Sequence, residues 1–147
     1  MQAPARIQPK TLADYLDVLG QAVFQPGMSW RVVEAKWPGT REVLAGFDPH
    51  YVAALTEDDL DRLAQDPRLI RSRRKLAALA GNARRMLELE EKHGSFQAYL
   101  RSHAGFGETL KDLRRQFKYL GEAGAFHFLW VVGEEVPDYQ EWCRTRQ

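Results

Sequence analysis

Five basic residues, Arg68, Arg71, Arg73, Arg74 and Lys75, crowd into the stretch just after Pro67. They flank the start of a helix-like segment. Backbone N–H groups at a helix start, joined by nearby arginines, make a site for a phosphate. A helical hairpin used in this way grips a nucleic-acid backbone without reading its bases. The same residues also suit a hairpin in any helical bundle whose basic face simply meets water. Pattern alone leaves both readings open.

The elements that must position these groups run from Thr56 to Leu89. Thr56 caps a first helix, and Asp59 three positions on completes a capping box with Asp in place of Glu. Glu57, Asp58 and Asp59 place negative charge at that helix's positive end. Leu60, Leu63 and Ala64 keep helical spacing. Asp66-Pro67 ends the helix, because the residue before a proline is pushed out of the right-handed region. Ser72 is a candidate cap for the second helix, with Leu76, Leu79, Ala80, Ala83 and Leu87 on one face.

The rest of the chain is punctuated in the same manner. Residues 1–10 form an irregular arm with Pro4 and Pro9, and residues 11–147 form one helical domain. Thr11 opens a helix with an apolar stripe through Leu12, Tyr15, Leu16, Leu19 and Val23. Pro26-Gly27 breaks it, and Ser29 caps the next helix. The spacing predicts that Trp37-Pro38-Gly39 ends that helix and that Thr40–Ala45 forms a short one. Asp48 and Pro49 mark a further start. Gly94 stops the long helix after His93, and Ser95 opens another. Arg101–Glu108 reads as a loop, Thr109–Arg115 as a short basic helix, Lys118–Val132 as an apolar helix, and Pro137-Asp138 as the start of a last short one. No period-two alternation lasts long enough for a strand, so the class is all-α.

Composition narrows the functional classes. The 147 residues carry a net charge of +1, so nucleic-acid binding has to come from a local patch and not from the overall field. The single cysteine, Cys143, excludes an internal disulfide and a cysteine-rich zinc site, and fits a reducing cytoplasm. No apolar run approaches the ~20 residues of a membrane span. The first ten residues are too polar for a secretory leader.

Several stretches resemble one family in order and spacing. Gln25-Pro26-Gly27-Met28-Ser29-Trp30 is similar to the Q-A-G-L-S-W segment of bacterial 3-methyladenine DNA glycosylase I. The likeness continues through Phe47-Asp48-Pro49, Val52-Ala53-Ala54-Leu55 and Glu57-Asp58-Asp59. It is strongest at Asp66, Leu69-Ile70-Arg71, Arg73, Lys75 and Gly81-Asn82-Ala83-Arg84, and Phe117-Lys118-Tyr119-Leu120-Gly121 looks like F-K-F-V-G. It spans roughly residues 11–143. The resemblance implies a helix-hairpin-helix glycosylase fold with two helical lobes around a cleft. It implies extrusion of an alkylated base from double-stranded DNA and hydrolysis of its N-glycosidic bond, by a monomer that needs no membrane. A non-catalytic DNA-binding relative and a helical protein-interaction module are the alternatives.

The resemblance also assigns residues. Trp30 matches the pocket tryptophan, and Gln25 shapes the same wall or bonds within its loop. Ala22 stands where the family has the pocket Glu. Glu122 is a candidate substitute acid, with a surface position as the alternative. Arg71, Arg73 and Lys75, with Arg68, are expected on DNA phosphates. His127, in an apolar run, is expected to be buried and hydrogen-bonded. The family's N-terminal zinc-binding Cys and His and its pocket aromatics have no counterpart in a shortened segment, and Tyr139 stands where a zinc-binding His belongs. Cys143 matches the Cys, but one thiol does not hold a structural zinc. No zinc and no other cofactor is therefore expected.

Overall fold

Thr11 and Asp14 bond reciprocally, side chain to backbone, and open α1 (Leu12–Phe24) in the computed structural model, which describes residues 3–146. Met1 and Gln2 of the expected arm, and Gln147, lie outside the described residues. Ser29 Oγ accepts from the Val32 amide at the start of α2 (Trp30–Val43). A 3₁₀ turn, Ala45–Phe47, follows. Asp48 caps α3 (Pro49–Ala53), with proline at the first helical position. The hairpin is α4 (Glu57–Leu63), with the expected Thr56–Asp59 capping box, and α5 (Arg73–His93), capped by Ser72. Gly94 ends α5 at φ 88°, a left-handed cap that favours glycine. Then come α6 (Phe96–Leu100), α7 (Phe106–Gln116), α8 (Glu122–Val131) and α9 (Tyr139–Arg144). Among the described residues there is no strand, and no helix is long and apolar enough to cross a membrane.

The long α5 gathers α1, α3, α4 and α6 around Leu76, Leu79, Ala83 and Met86, while α8 packs against α1 and α7. Because α1 touches both groups, one apolar core runs from Tyr15 to Trp142. Burial of this kind, near 25 cal/mol per Å2 of apolar surface, holds short helices that would not persist alone.

Three boundaries differ from the sequence expectation. Pro38 does not end α2. Trp37 is anchored by stacking on Phe47, with centroids 5.3 Å apart, and by donating Nε1 to Asp17 at 2.8 Å. Pro38 and Glu34, whose carbonyl loses the proline's missing N–H as a donor, are both exposed residues. Gly39 lets this helix approach the hairpin, since a Cβ there would lie 3.0 Å from the Arg68 carbonyl oxygen. The last long helix starts at Glu122 and not at Lys118. Buried Asn82 accepts from the Lys118 amide at 2.8 Å and donates to its carbonyl at 3.1 Å, and Tyr119 turns left-handed at φ 59°. The helix expected from Thr109 begins at Phe106, whose ring meets the edge of Phe126.

The arm lacks helix and strand in residues 3–10, as its prolines imply, but it is tied down. Ile7 donates its amide to the Val131 carbonyl at 2.7 Å. Trp130 donates Nε1 to the Pro4 carbonyl at 2.9 Å. Arg6 lies over the Trp130 ring, 4.1 Å from its centroid, and donates to the carbonyls of Trp130 and Glu134.

Candidate functional site

A cavity of about 340 Å3 opens where the arm, α1, α2, α8 and α9 converge. The arm supplies Pro4 and Ala5, and α1 supplies Val18 and Gln21. Trp30 and Glu34 come from α2, His127 and Val131 from α8, and Tyr139 from α9. Pockets of this size, mostly apolar with a few polar groups, are where small flat ligands bind.

Trp30 is the first residue of α2, so the loop that caps this helix also aims its indole. The ring is half-buried and stacks on His127, with centroids 4.3 Å apart and planes 26° from parallel. This corrects the expectation of a hydrogen-bonded core histidine. His127 is packed ring on ring at the cavity wall, and its buried Nδ1 has no partner among the described residues. Burial pushes its pKa down from 6.5 to about 4, which leaves the imidazole neutral at ordinary pH.

That shift sets a pH dependence. Between pH 6.5 and 4 the unfolded chain binds a proton that the folded chain refuses. The contribution to stability is therefore full above 6.5 and is lost as pH falls toward 4, by about 3 kcal/mol over the window. Urea unfolding at pH 7 and pH 4 should show wild type losing 2–3 kcal/mol more than His127→Phe, in round terms about that same amount. Equal losses would contradict a buried neutral imidazole.

The remaining polar lining is pre-arranged. Gln21 donates its side-chain amide to Asp17 Oδ1 at 2.8 Å, which fixes the amide and leaves its oxygen and second N–H to offer. Asp17 is fixed in turn by Trp37 Nε1 at 2.8 Å and by Arg41 Nε at 2.6 Å. Burial raises the Tyr139 pKa, with further contributions from Cys143, to which its side chain is hydrogen-bonded.

Of the residues expected at a base pocket, the structure brings Trp30 to the cavity and leaves the others away from it. Ala22 is 1% exposed in the core and faces α8 at Gly124, where an added Cβ would lie 3.6 Å from its own. Its helix turns the neighbouring Gln21 to the cavity instead. Gln25 donates its side-chain amide to the Met28 carbonyl at 3.0 Å and so shapes the loop before Trp30. Glu122 opens α8 and pairs with Arg146 at 2.9 Å, away from the lining. Gln21, Glu34, His127 and Tyr139 were not read as lining residues. Only Glu34 carried a local signal, since it lies one helical turn beyond Trp30 and hence on the same face.

The basic cluster is mostly committed within the protein. Arg73 bonds Asp61 at 2.6 Å and Glu57 at 2.5 Å, which ties α5 to α4. Arg68 grips Asp66 at 2.8 Å. Lys75 donates Nζ to the carbonyls of Phe24 and Pro26 at 2.8 and 2.7 Å. Partial burial, helped by the adjacent charge of Arg74, pulls its pKa below the ordinary lysine value. All three are thus engaged within the protein, Arg68 and Arg73 in exposed ion pairs and Lys75 on backbone carbonyls. Lys75 closes the carbonyl end of α1 and holds the loop that delivers Trp30. Arg71 and Arg74 are exposed and carry no ion pair among the described residues. Lys36 donates to the Pro67 carbonyl at 2.8 Å, so α2 joins the cavity to the hairpin turn.

Cys143 and Tyr139 stand at the two C-terminal positions that the resemblance relates to the family's zinc ligands. Cys143 bonds Tyr139, and among the described residues no three His, Cys, Asp or Glu side chains converge.

Comparison with known proteins converges on one family. The family model described as methyladenine glycosylase matches residues 13–125. The chain is 30% identical over 145 residues to DNA-3-methyladenine glycosylase 1 of Escherichia coli (strain K12), with 84% of this chain and 76% of that protein covered. It is 30% identical over 140 residues to DNA-3-methyladenine glycosylase of Haemophilus influenzae, covering 81% and 75%. Among solved structures it is similar to a variant of 3-methyladenine DNA glycosylase I in complex with 3-methyladenine, with a TM-score of 0.76, 28% identity, and 86% and 80% coverage. The Staphylococcus aureus enzyme gives a TM-score of 0.75 at 26% identity, with 86% and 79% covered.

Proposed function

Since this chain belongs to the methyladenine glycosylase family, we propose that it is a DNA glycosylase that draws an alkylated, 3-methyladenine-type base out of duplex DNA and hydrolyses its N-glycosidic bond. The observation that carries this reading is the Trp30 cavity, joined to the hairpin turn through Lys75 and Lys36. Stacked with His127 and lining the cavity, the Trp30 indole is the aromatic surface on which an incoming base would stack. Base–aromatic stacking contributes about 1–3 kcal/mol per base.

The reaction asks little of the protein beyond flipping and holding. A purine alkylated at a ring nitrogen is cationic in DNA. Its bond to C1′ breaks with the electron pair going to the base, which leaves neutral. Water adds its oxygen to C1′ and releases a proton to solvent. No buried acid is needed to protonate such a leaving group, which accords with Ala22 and with the placement of Glu122 outside the cavity.

Incubating methylated duplex DNA with the protein should release free 3-methyladenine, detected by chromatography. Binding of such DNA without release of any alkylated base would favour a non-catalytic relative.

On this reading Arg71 and Arg74, both exposed and without an ion pair among the described residues, meet the DNA backbone, and the protein acts as a single chain. Arg71→Glu should weaken duplex binding about tenfold, and Arg71→Ala should reduce the salt slope by about one. Arg73→Ala, which breaks the tie to α4, should lower stability more than affinity. Unchanged affinity in Arg71→Glu would remove the hairpin from the DNA contact. The protein should also hold no tightly bound zinc. Metal analysis returning one equivalent per chain would refute that.

A further inference from the structure

We infer that Glu34 is the charge-selecting residue of the Trp30 cavity, so that the cavity takes a flat base carrying positive charge and discriminates against its neutral counterpart. The inference rests on the glycosylase reading and adds to it a residue and a basis for selection. Glu34 lies on α2 one turn beyond Trp30, and both line the same cavity. It is the one carboxylate among the residues lining that space. It makes no hydrogen bond and no ion pair among the described residues. The other ionisable groups there are uncharged near neutral pH. Burial holds His127 neutral, and Tyr139 keeps its proton because its pKa is raised. No Lys or Arg lines the cavity. An aromatic wall beside one uncompensated carboxylate attracts a cationic ring both by stacking and by Coulomb attraction. A neutral ring gains only the stacking. The exposure of Glu34 places the carboxylate at the rim, where it can draw in a charged base without the cost of burying a lone charge.

The test uses two probes that need no catalysis. One is 3,9-dimethyladeninium, a permanent cation. The other is 9-methyladenine, its neutral counterpart. Calorimetric titration of the wild-type protein should show the cation binding about tenfold more tightly. Glu34→Gln, which keeps shape and removes charge, should bring the two within about twofold, and Glu34→Asp should restore part of the preference. Matching thermal melts would confirm that the variants are folded. Wild type binding both probes equally, or neither, would overturn the inference, as would a preference retained in Glu34→Gln. Release of 3-methyladenine from methylated DNA is followed in parallel. Release by wild type with an unaltered preference in Glu34→Gln overturns the Glu34 assignment alone, whereas no release at all overturns the glycosylase reading itself.

Discussion

Trp30→Ala should reduce release of free base about 10- to 100-fold at subsaturating DNA, the loss expected when about 1–3 kcal/mol of stacking is removed from the extruded base. The indole is a wall of the cavity and its contact with His127 is ring on ring, so truncation removes the stacking surface and leaves that imidazole facing an enlarged space. Trp30 is half-buried and starts a helix whose cap is the neighbouring Ser29, so the fold should survive. Single-turnover release, read beside a thermal melt, separates the two effects. A fall in activity that merely tracks unfolding would deny Trp30 a direct role, and full activity in the variant would move the base elsewhere.

Asp112→Ala should have the opposite profile, with about 3 kcal/mol lost from stability and little change in release per folded molecule. Asp112 is 9% exposed and accepts from Tyr99 Oη at 2.8 Å and from Arg115 at 2.6 Å, with His103 Nε2 at 2.9 Å. Burial opposes its ionisation, but these bonds and a weaker one from Gln116 outweigh it and hold the pKa down at about 2. Removing the carboxylate strands the buried Tyr99 hydroxyl, whose own pKa burial and the Asp112 bond drive upward. The network ties the turn after α6 to α7, and α7 in turn supports α8. For a domain of this size the loss corresponds to a melting temperature lower by roughly 10 °C. A shift under about 2 °C would mean that the network is dispensable.

The local part of this architecture was legible in the chain. The caps at Thr11, Ser29, Thr56, Ser72 and Ser95 and the stop at Gly94 involve groups within a few positions of each other, so residue type and spacing sufficed. Pro38 misled because the force that keeps α2 continuous is the seating of Trp37 against Phe47 and Asp17, which sequence order does not display. The partners of the basic cluster were not legible for a related reason. A cation's partner decides whether it is free, and Arg73 finds Asp61 and Glu57 across the hairpin, while Lys75 finds carbonyls about fifty positions earlier. Trp30 was identified through the family resemblance. Its cavity was not, because the walls come from an arm, two early helices and two late ones that meet only in the folded molecule.

The most direct measurement is a crystal structure of the protein with 3,9-dimethyladeninium, the cationic base. The base should lie in the cavity between α1, α2 and α8, against Trp30 and within reach of Gln21 and Glu34. A base bound instead in the larger cavity beside Arg101, His103 and Phe106, with the Trp30 site unchanged, would contradict the account.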